Sequence, residues 1–278
     1  MQSYSSLYSP LIFITHTFYK HFYTEDYLLF LFNLLVKKLE NNNKFFILSH
    51  FHSIMLVLGI DDAGRGPVIG PMVLAGVLIN KSTEKEFSKL GIKDSKLLSP
   101  KKRRILGEEI KKLSISSYEV LISVSEIDNE DNENLNLNQR EAVGMAQIIN
   151  KLSKSIKSKE KIEVIIDCPS TNIESWKSYL ENFILGRTNL HIVCEHKADV
   201  NHISVGAASI LAKVRRDAEV EKIKKDIGID FGSGYSADPI TRKFVYDNYD
   251  KYKTKGIFRE SWDTIKKHKS SKVQKKLF

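Results

Sequence analysis

The segment Gly59-Ile60-Asp61-Asp62-Ala63-Gly64-Arg65-Gly66-Pro67 sets two adjacent carboxylates just ahead of an arginine flanked by glycines. Two more acids stand in comparable places. Asp167 closes the apolar run 161–166, and Asp199 lies just beyond the run 190–195. In α/β sheets, functional groups gather where strands end and loops begin. The four acids can therefore meet on one edge of a sheet, although spacing alone does not show convergence. Carboxylates crowded into a partly dry site repel one another unless cations join them. Hard oxygen donors suit Mg²⁺ or Mn²⁺. Two such ions about 4 Å apart can activate a water and stabilise the leaving oxygen of a phosphodiester.

Each residue alone has a plainer reading. An aspartate at a strand end is commonly a turn former or a helix cap, and Asp199 reads equally well as the cap of the helix after it. The glycines around Arg65 either bring backbone N–H groups close to a ligand or make a tight turn with Arg65 in solvent.

The elements that must position these groups alternate between strand and helix from Met55 onward. Residues 56–60 form a short apolar run, expected as a buried strand. Residues 68–79 continue apolar, broken by Gly70, Pro71 and Gly76, and fit a hairpin partner. Ser99-Pro100 opens a helix to about residue 113, with an N-cap and a proline in the first turn. Strands are expected over 118–124, 161–166 and 190–195. Helices are expected over 138–155, 172–185, 201–226 and 239–249, with 127–137 a loop or helix approach. The pattern is an α/β domain around one mixed sheet, without internal repeats.

Composition bounds the partners. The 278 residues are 42% hydrophobic and 28% charged, ordinary for a soluble globular chain. Two cysteines, Cys168 and Cys194, are too few for a disulfide framework or a cysteine-ligated zinc site. A reducing, cytoplasmic setting is the expectation. The last 28 residues hold ten Lys/Arg against Glu260 and Asp263, so nearly all of the +9 net charge sits there. Such a tail either meets a polyanion through phosphate contacts or is simply solvated.

Residues 1–54 differ from the rest. They contain no glycine, yet hold 13 of the 27 aromatics and four of the eight histidines. The run 27–36 is too short to span a bilayer, and Glu25 and Asp26 precede it where a secretory signal would want positive charge. An accessory helix pair, a membrane-surface anchor and translated upstream sequence are the alternatives. The abrupt change at Met55 favours the last, with Met55 as the start.

Six ordered blocks resemble ribonuclease HII, the type 2 ribonuclease H family, in its archaeal branch. They are Gly59 to Pro71, Lys93-Asp94-Ser95-Lys96-Leu97, Asp167-Cys168-Pro169, His196-Lys197-Ala198-Asp199, Ala207 to Asp217, and Gly232-Ser233-Gly234-Tyr235-Ser236-Ala237-Asp238-Pro239. The resemblance covers about 56–265. It implies a ribonuclease H-like mixed β-sheet flanked by helices over 55–225, with a helical C-terminal region and basic tail over 226–278. It implies a monomeric, metal-dependent endonuclease that hydrolyses the RNA strand of RNA–DNA hybrids. The same enzyme would cut 5′ to ribonucleotides embedded in duplex DNA, leaving 5′-phosphate and 3′-hydroxyl ends. By position, Asp61, Asp62, Asp167 and Asp199 would be the catalytic metal ligands. Gly64, Arg65 and Gly66 would sense the ribose 2′-hydroxyl, the group that separates RNA from DNA, and Tyr235 would stack on the sugar after the scissile phosphate. Lys197 and Lys213 would contact substrate phosphates, unless they are ordinary surface lysines. Lys93 and Lys96 carry the same pair of readings. His196 is expected as a structural histidine beside Asp199, with proton transfer the alternative.

One position departs from the family, which usually has glutamate where this chain has Asp62. Aspartate is one methylene shorter, and adjacent strand residues point to opposite faces. The expectation is water-mediated binding of the second metal, or a preference shifted toward Mn²⁺. Arg65 also separates the chain from the sister type 3 enzymes, which usually carry lysine there. Gln274-Lys275-Lys276-Leu277-Phe278 resembles a sliding-clamp-binding peptide, with Gln274, Leu277 and Phe278 as anchors. A non-catalytic nucleic-acid binder would gain nothing from four acids near phosphates. A two-metal nuclease acting on DNA junctions is disfavoured only through the resemblance.

Overall fold

The structure is a computed structural model, and it describes residues 56–92, 98–129, 133–154, 156, 160–186 and 189–275. Residues 1–55, Lys93, Lys96, Leu277 and Phe278 lie outside the described residues, as does the side chain of Gln274. The elements are β1 (Leu56–Ala63), β2 (Met72–Ile79), α1 (Lys81–Lys89), α2 (Pro100–Leu113), β3 (Ser116–Ile122), α3 (Val124–Ile127), α4 (Leu137–Ser153) and β4 (Ile162–Asp167). After these come α5 (Ile173–Glu181), β5 (Leu190–Glu195), α6 (Ala198–Asn201), α7 (Ile203–Ile227), α8 (Pro239–Tyr252), a 3₁₀ turn (Lys253–Lys255) and α9 (Asp263–Lys275).

The strand order is β3-β2-β1-β4-β5. β1 is antiparallel to β2 and parallel to β4, so the sheet is mixed, as expected. Every residue of β2 is buried, which is why it reads as one apolar run rather than an alternation. One sheet face packs Leu58, Ile60, Leu74 and Val164 against α4 and α5. The other packs Val73, Ala75 and Val77 against α1, α2 and α7. The helix caps follow from local chemistry. The Ser99 hydroxyl accepts the Lys102 N–H with Pro100 in the first turn, and Asn136 and Gln139 cap α4 reciprocally.

Several boundaries differ from the sequence expectation. β1 runs on to Ala63, so both aspartates lie inside it. Residues 68–71 are not strand. Val68 and Ile69 instead pack with Phe231, Phe244 and Phe258 of the C-terminal region. α4 and α5 end earlier than expected, at Ser153 and Glu181, and Val124 opens a short helix. The expected helix over 201–226 is interrupted at His202, whose extended backbone separates α6 from α7. α7 crosses β1 in direct backbone contact. A Cβ on Gly59 would sit 2.2 Å from the Ser204 carbonyl carbon.

Candidate active site

Ile60 pairs with Ile166 across the parallel β1–β4 ladder. Asp61 and Asp167 are the next residues, Asp61 within β1 just past this ladder and Asp167 at the end of β4. Gly59 faces α7, and Ile165 packs with Ala198 and Val205, so strand alternation turns Asp61 and Asp167 to that same face. Asp61 is buried and accepts the Asp62 N–H at 2.7 Å. Ser209 of α7 hydrogen-bonds its carboxylate, and Lys213 donates to Ser209 at 2.5 Å. Lys213 therefore stands inside the site rather than on a free surface.

Asp167 accepts the Ala198 N–H at 3.3 Å, which joins the end of β4 to α6. Asp199 is the next residue of α6 and is buried. It does not cap α7, because His202 occupies that cap. Lys197 takes a left-handed conformation, φ 61°, where the chain turns from β5 into α6. Its side chain is exposed, and so is His196, whose ring Nδ1 lies 3.1 Å from the Cys168 carbonyl oxygen. That contact fits the structural reading of His196.

Asp62 lies on the opposite pleat, toward α4. Burial pushes its carboxyl up to about 6. Arg65 opposes that shift, Asp167 adds to it, and Lys213 and Arg259 oppose it. Burial pushes Asp61 up to about 8, aided by Asp62 and Asp167 against the Ser209 hydrogen bond. Among the described residues, no three His, Cys, Asp or Glu side chains already stand at ligating distance from one point. The donor set nevertheless fits a hard divalent cation. Asp61 and Asp62 offer carboxylate oxygens whose ionisation is opposed by burial and by neighbouring carboxylates, a cost that a cation removes.

The arginine of the turn after β1 is half-buried and anchored rather than free in solvent. Arg65 forms an ion pair with the fully buried Glu141 and donates to Asn138 Oδ1 at 2.6 Å, both from the α4 region. Gly64 has φ +88°, and a Cβ there would lie 3.0 Å from the Pro71 carbonyl oxygen, so only glycine fits without strain. Gly66 is exposed, and a Cβ on it would meet the Tyr235 ring at 3.5 Å. Tyr235 is 40% exposed, with the Arg216 guanidinium 5.3 Å from its ring centroid. The turn thus faces Tyr235 at Gly66 and acts on Asp62 through the charge of Arg65.

Sequence reading missed Glu141, Ser209, Arg216 and Arg259. Arg259 had been counted with the tail charges. Its apolar neighbours Ile257, Phe258 and Trp262 were the available sign of burial. Among the described residues, no helix is long and apolar enough to cross a membrane.

The Ribonuclease HII family model matches residues 58–265. The ribonuclease HII of Methanobrevibacter smithii is 41% identical over 222 residues, covering 78% of this chain and 100% of that protein. The crystal structure of ribonuclease H2 from Pyrococcus horikoshii has TM-score 0.68 at 33% identity, covering 78% of this chain and 98% of its own. The PCNA:RNase HII complex from Archaeoglobus fulgidus gives TM-score 0.65 at 37% identity, covering 75% and 96%. With the mixed sheet and its strand-end acids in place, these likenesses make the chain a member of the ribonuclease HII family, metal-dependent hydrolases that cleave the RNA of RNA–DNA hybrids.

Proposed function

We propose that the chain cuts 5′ to ribonucleotides embedded in duplex DNA, as well as within longer hybrids, leaving 5′-phosphate and 3′-hydroxyl ends. The observation that carries this reading is that Tyr235 faces Gly66 with room for no more than a methyl group between them, next to an arginine, Arg65, whose charge acts on Asp62. An exposed ring facing an exposed glycine backbone offers one sugar a flat stacking surface and the adjacent ribose a set of N–H donors.

In this reading Asp61, Asp62, Asp167 and Asp199 hold Mg²⁺ or Mn²⁺. Two such ions, when bound, would supply an activated water and stabilise the leaving oxygen. Ser209 and the Asp62 N–H hold the Asp61 carboxylate in one orientation. Lys213 places a positive charge near Asp62, where it can also meet a substrate phosphate. The exposed Lys197 reaches a phosphate only from the rim. The C-terminal anchors Gln274, Leu277 and Phe278 would engage a sliding clamp of the kind seen with the Archaeoglobus fulgidus enzyme. The working form would be a monomer in the cytoplasm.

The deciding experiment is cleavage of a DNA duplex that holds one ribonucleotide, by wild type and Asp167→Asn, in Mg²⁺ and in Mn²⁺. The expected outcome is a cut 5′ to the ribonucleotide by wild type only. Equal cleavage of an all-DNA duplex would overturn the reading.

A further inference from the structure

Arg259 is fully buried, and its guanidinium ends on the backbone of the β1–β2 connection. Nη2 donates to the Gly64 carbonyl at 2.6 Å, Nη1 to Arg65 at 2.8 Å, and Nε to Gly70 at 2.9 Å. Its own N–H donates to the Val68 carbonyl at 2.9 Å. None of these acceptors is a carboxylate. A cation buried among neutral carbonyls is costly, and burial, then Arg216, draws its pKa down to about 10. Lysine offers three donors from one point and cannot span three diverging carbonyls as the planar fork does.

The consequence follows from peptide geometry. A trans peptide is planar, with its C=O and N–H pointing in opposite directions, and there is no cis peptide among the described residues. Drawing the Gly64 carbonyl toward Arg259 turns the Arg65 N–H away from it. Drawing the Arg65 carbonyl in does the same for the Gly66 N–H. Two consecutive amides are thereby aimed at the opposite side, where Gly66 is exposed beside Tyr235. Successive N–H groups turned to one side form a concave site for an electron-rich oxygen.

We propose that Arg259 is a positioning residue for ribose discrimination. It never touches substrate, and it fixes the orientation of the Arg65 and Gly66 amides that receive the 2′-hydroxyl. This rests on the reading of the Gly64–Gly66 turn as the ribose sensor.

The test measures binding in an Asp167→Asn background, so that nothing is cut. The ligands are two duplexes that differ only by one 2′-hydroxyl. Wild-type Arg259 should favour the ribonucleotide duplex. Arg259→Lys should reduce that preference about tenfold or more, with all-DNA affinity unchanged, and guanidinium added to Arg259→Ala should restore it in part. An undiminished preference in a folded Arg259→Lys variant overturns the clamp alone. Equal binding of both duplexes with Arg259 intact overturns the ribose-sensing turn itself, and the clamp with it. Should the Arg259 variants not fold, amide and guanidinium resonances of the Asp167→Asn protein decide. The ribonucleotide duplex should shift the Arg65 and Gly66 amides and the Arg259 Nε–H together. Amide shifts with an unmoved Arg259 signal would refute the proposal.

Discussion

Asp61 and Asp167 are lateral neighbours on two parallel strands, one step beyond the Ile60–Ile166 pair that ends their ladder and turned to the same face. Two carboxylates so placed repel, and Asp167 adds to the cost of ionising Asp61. The arrangement favours a cation over the isolated protein. Asp167→Asn should therefore have opposite effects on two observables. Cleavage should fall at least about a hundredfold. The metal-free protein should be no less stable, and up to about 1 kcal/mol more so, because a repelling charge is gone. Denaturant unfolding in chelator checks the second effect. Marked destabilisation would show that Asp167 serves the fold rather than the site.

The pH dependence of metal-free stability follows from Asp61. Its ordinary value is 3.8, and in the folded protein burial lifts it to about 8. Between those values the folded protein keeps a proton that the unfolded chain releases. The unfolding free energy must therefore fall as pH rises from about 4 to about 8. Asp62, lifted to about 6, steepens the lower part of this window. Melting curves in chelator should show a falling Tm across the range. Saturating Mg²⁺ should flatten the slope by replacing protons, and Asp61→Asn should remove most of it. A flat wild-type profile in chelator would contradict the buried-carboxyl account.

Asp62 reaches the site from the α4 side of the sheet, with Arg65 as the leading opponent of its raised pKa. A longer arm there should shorten the path to a second cation. Asp62→Glu should raise Mg²⁺-supported cleavage relative to Mn²⁺-supported cleavage by roughly tenfold, the scale on which metal-site geometry acts. No change in either metal would sink the idea that side-chain length sets the preference.

How far the site could be read in advance depended on the range of its contacts. Asp61 and Asp167 were legible because each follows an apolar run that forms a strand, and parallel strands carry such residues to the same edge of the sheet. Arg65 was not. Its anchors Asn138 and Glu141 lie 73 and 76 residues away, and nothing local marks Glu141 as buried. Arg259 was further still, bonded to carbonyls 189 to 195 residues away from within a basic stretch. α1 was overlooked because only Thr83 and Phe87 of its nine residues are buried, too few to carry a period.

The tail prediction separates clamp recruitment from catalysis. Of the glutamine, aliphatic and aromatic anchors, Gln274 stands in the last turn of the polar helix α9, and Leu277 and Phe278 follow that helix in the sequence. Deleting 274–278 should abolish pull-down with the sliding clamp of the same cell while leaving hydrolysis of a short hybrid within about twofold. Unchanged pull-down would leave the basic tail with only a phosphate-binding role.

Gly59→Ala probes the frame that holds Ser209 and Lys213 over the acids. The added Cβ would lie 2.2 Å from the Ser204 carbonyl carbon and 2.3 Å from the Val205 nitrogen. Both are backbone atoms, so no side-chain rotation relieves the clash. α7 must lift from β1, at a cost of about 3 kcal/mol or more. Ser209 and Lys213 ride on the same helix, so the Asp61 carboxylate loses a hydrogen bond that favours its charged form. Proton competition with the cation should then extend to higher pH. At a temperature where the variant is still folded, its activity should need a higher pH or more Mg²⁺ to reach a plateau. Chemical denaturation measures the first effect and a pH series at fixed Mg²⁺ the second. A loss of stability below about 0.5 kcal/mol, with an unmoved pH profile, would mean that α7 does not press on β1 at this point.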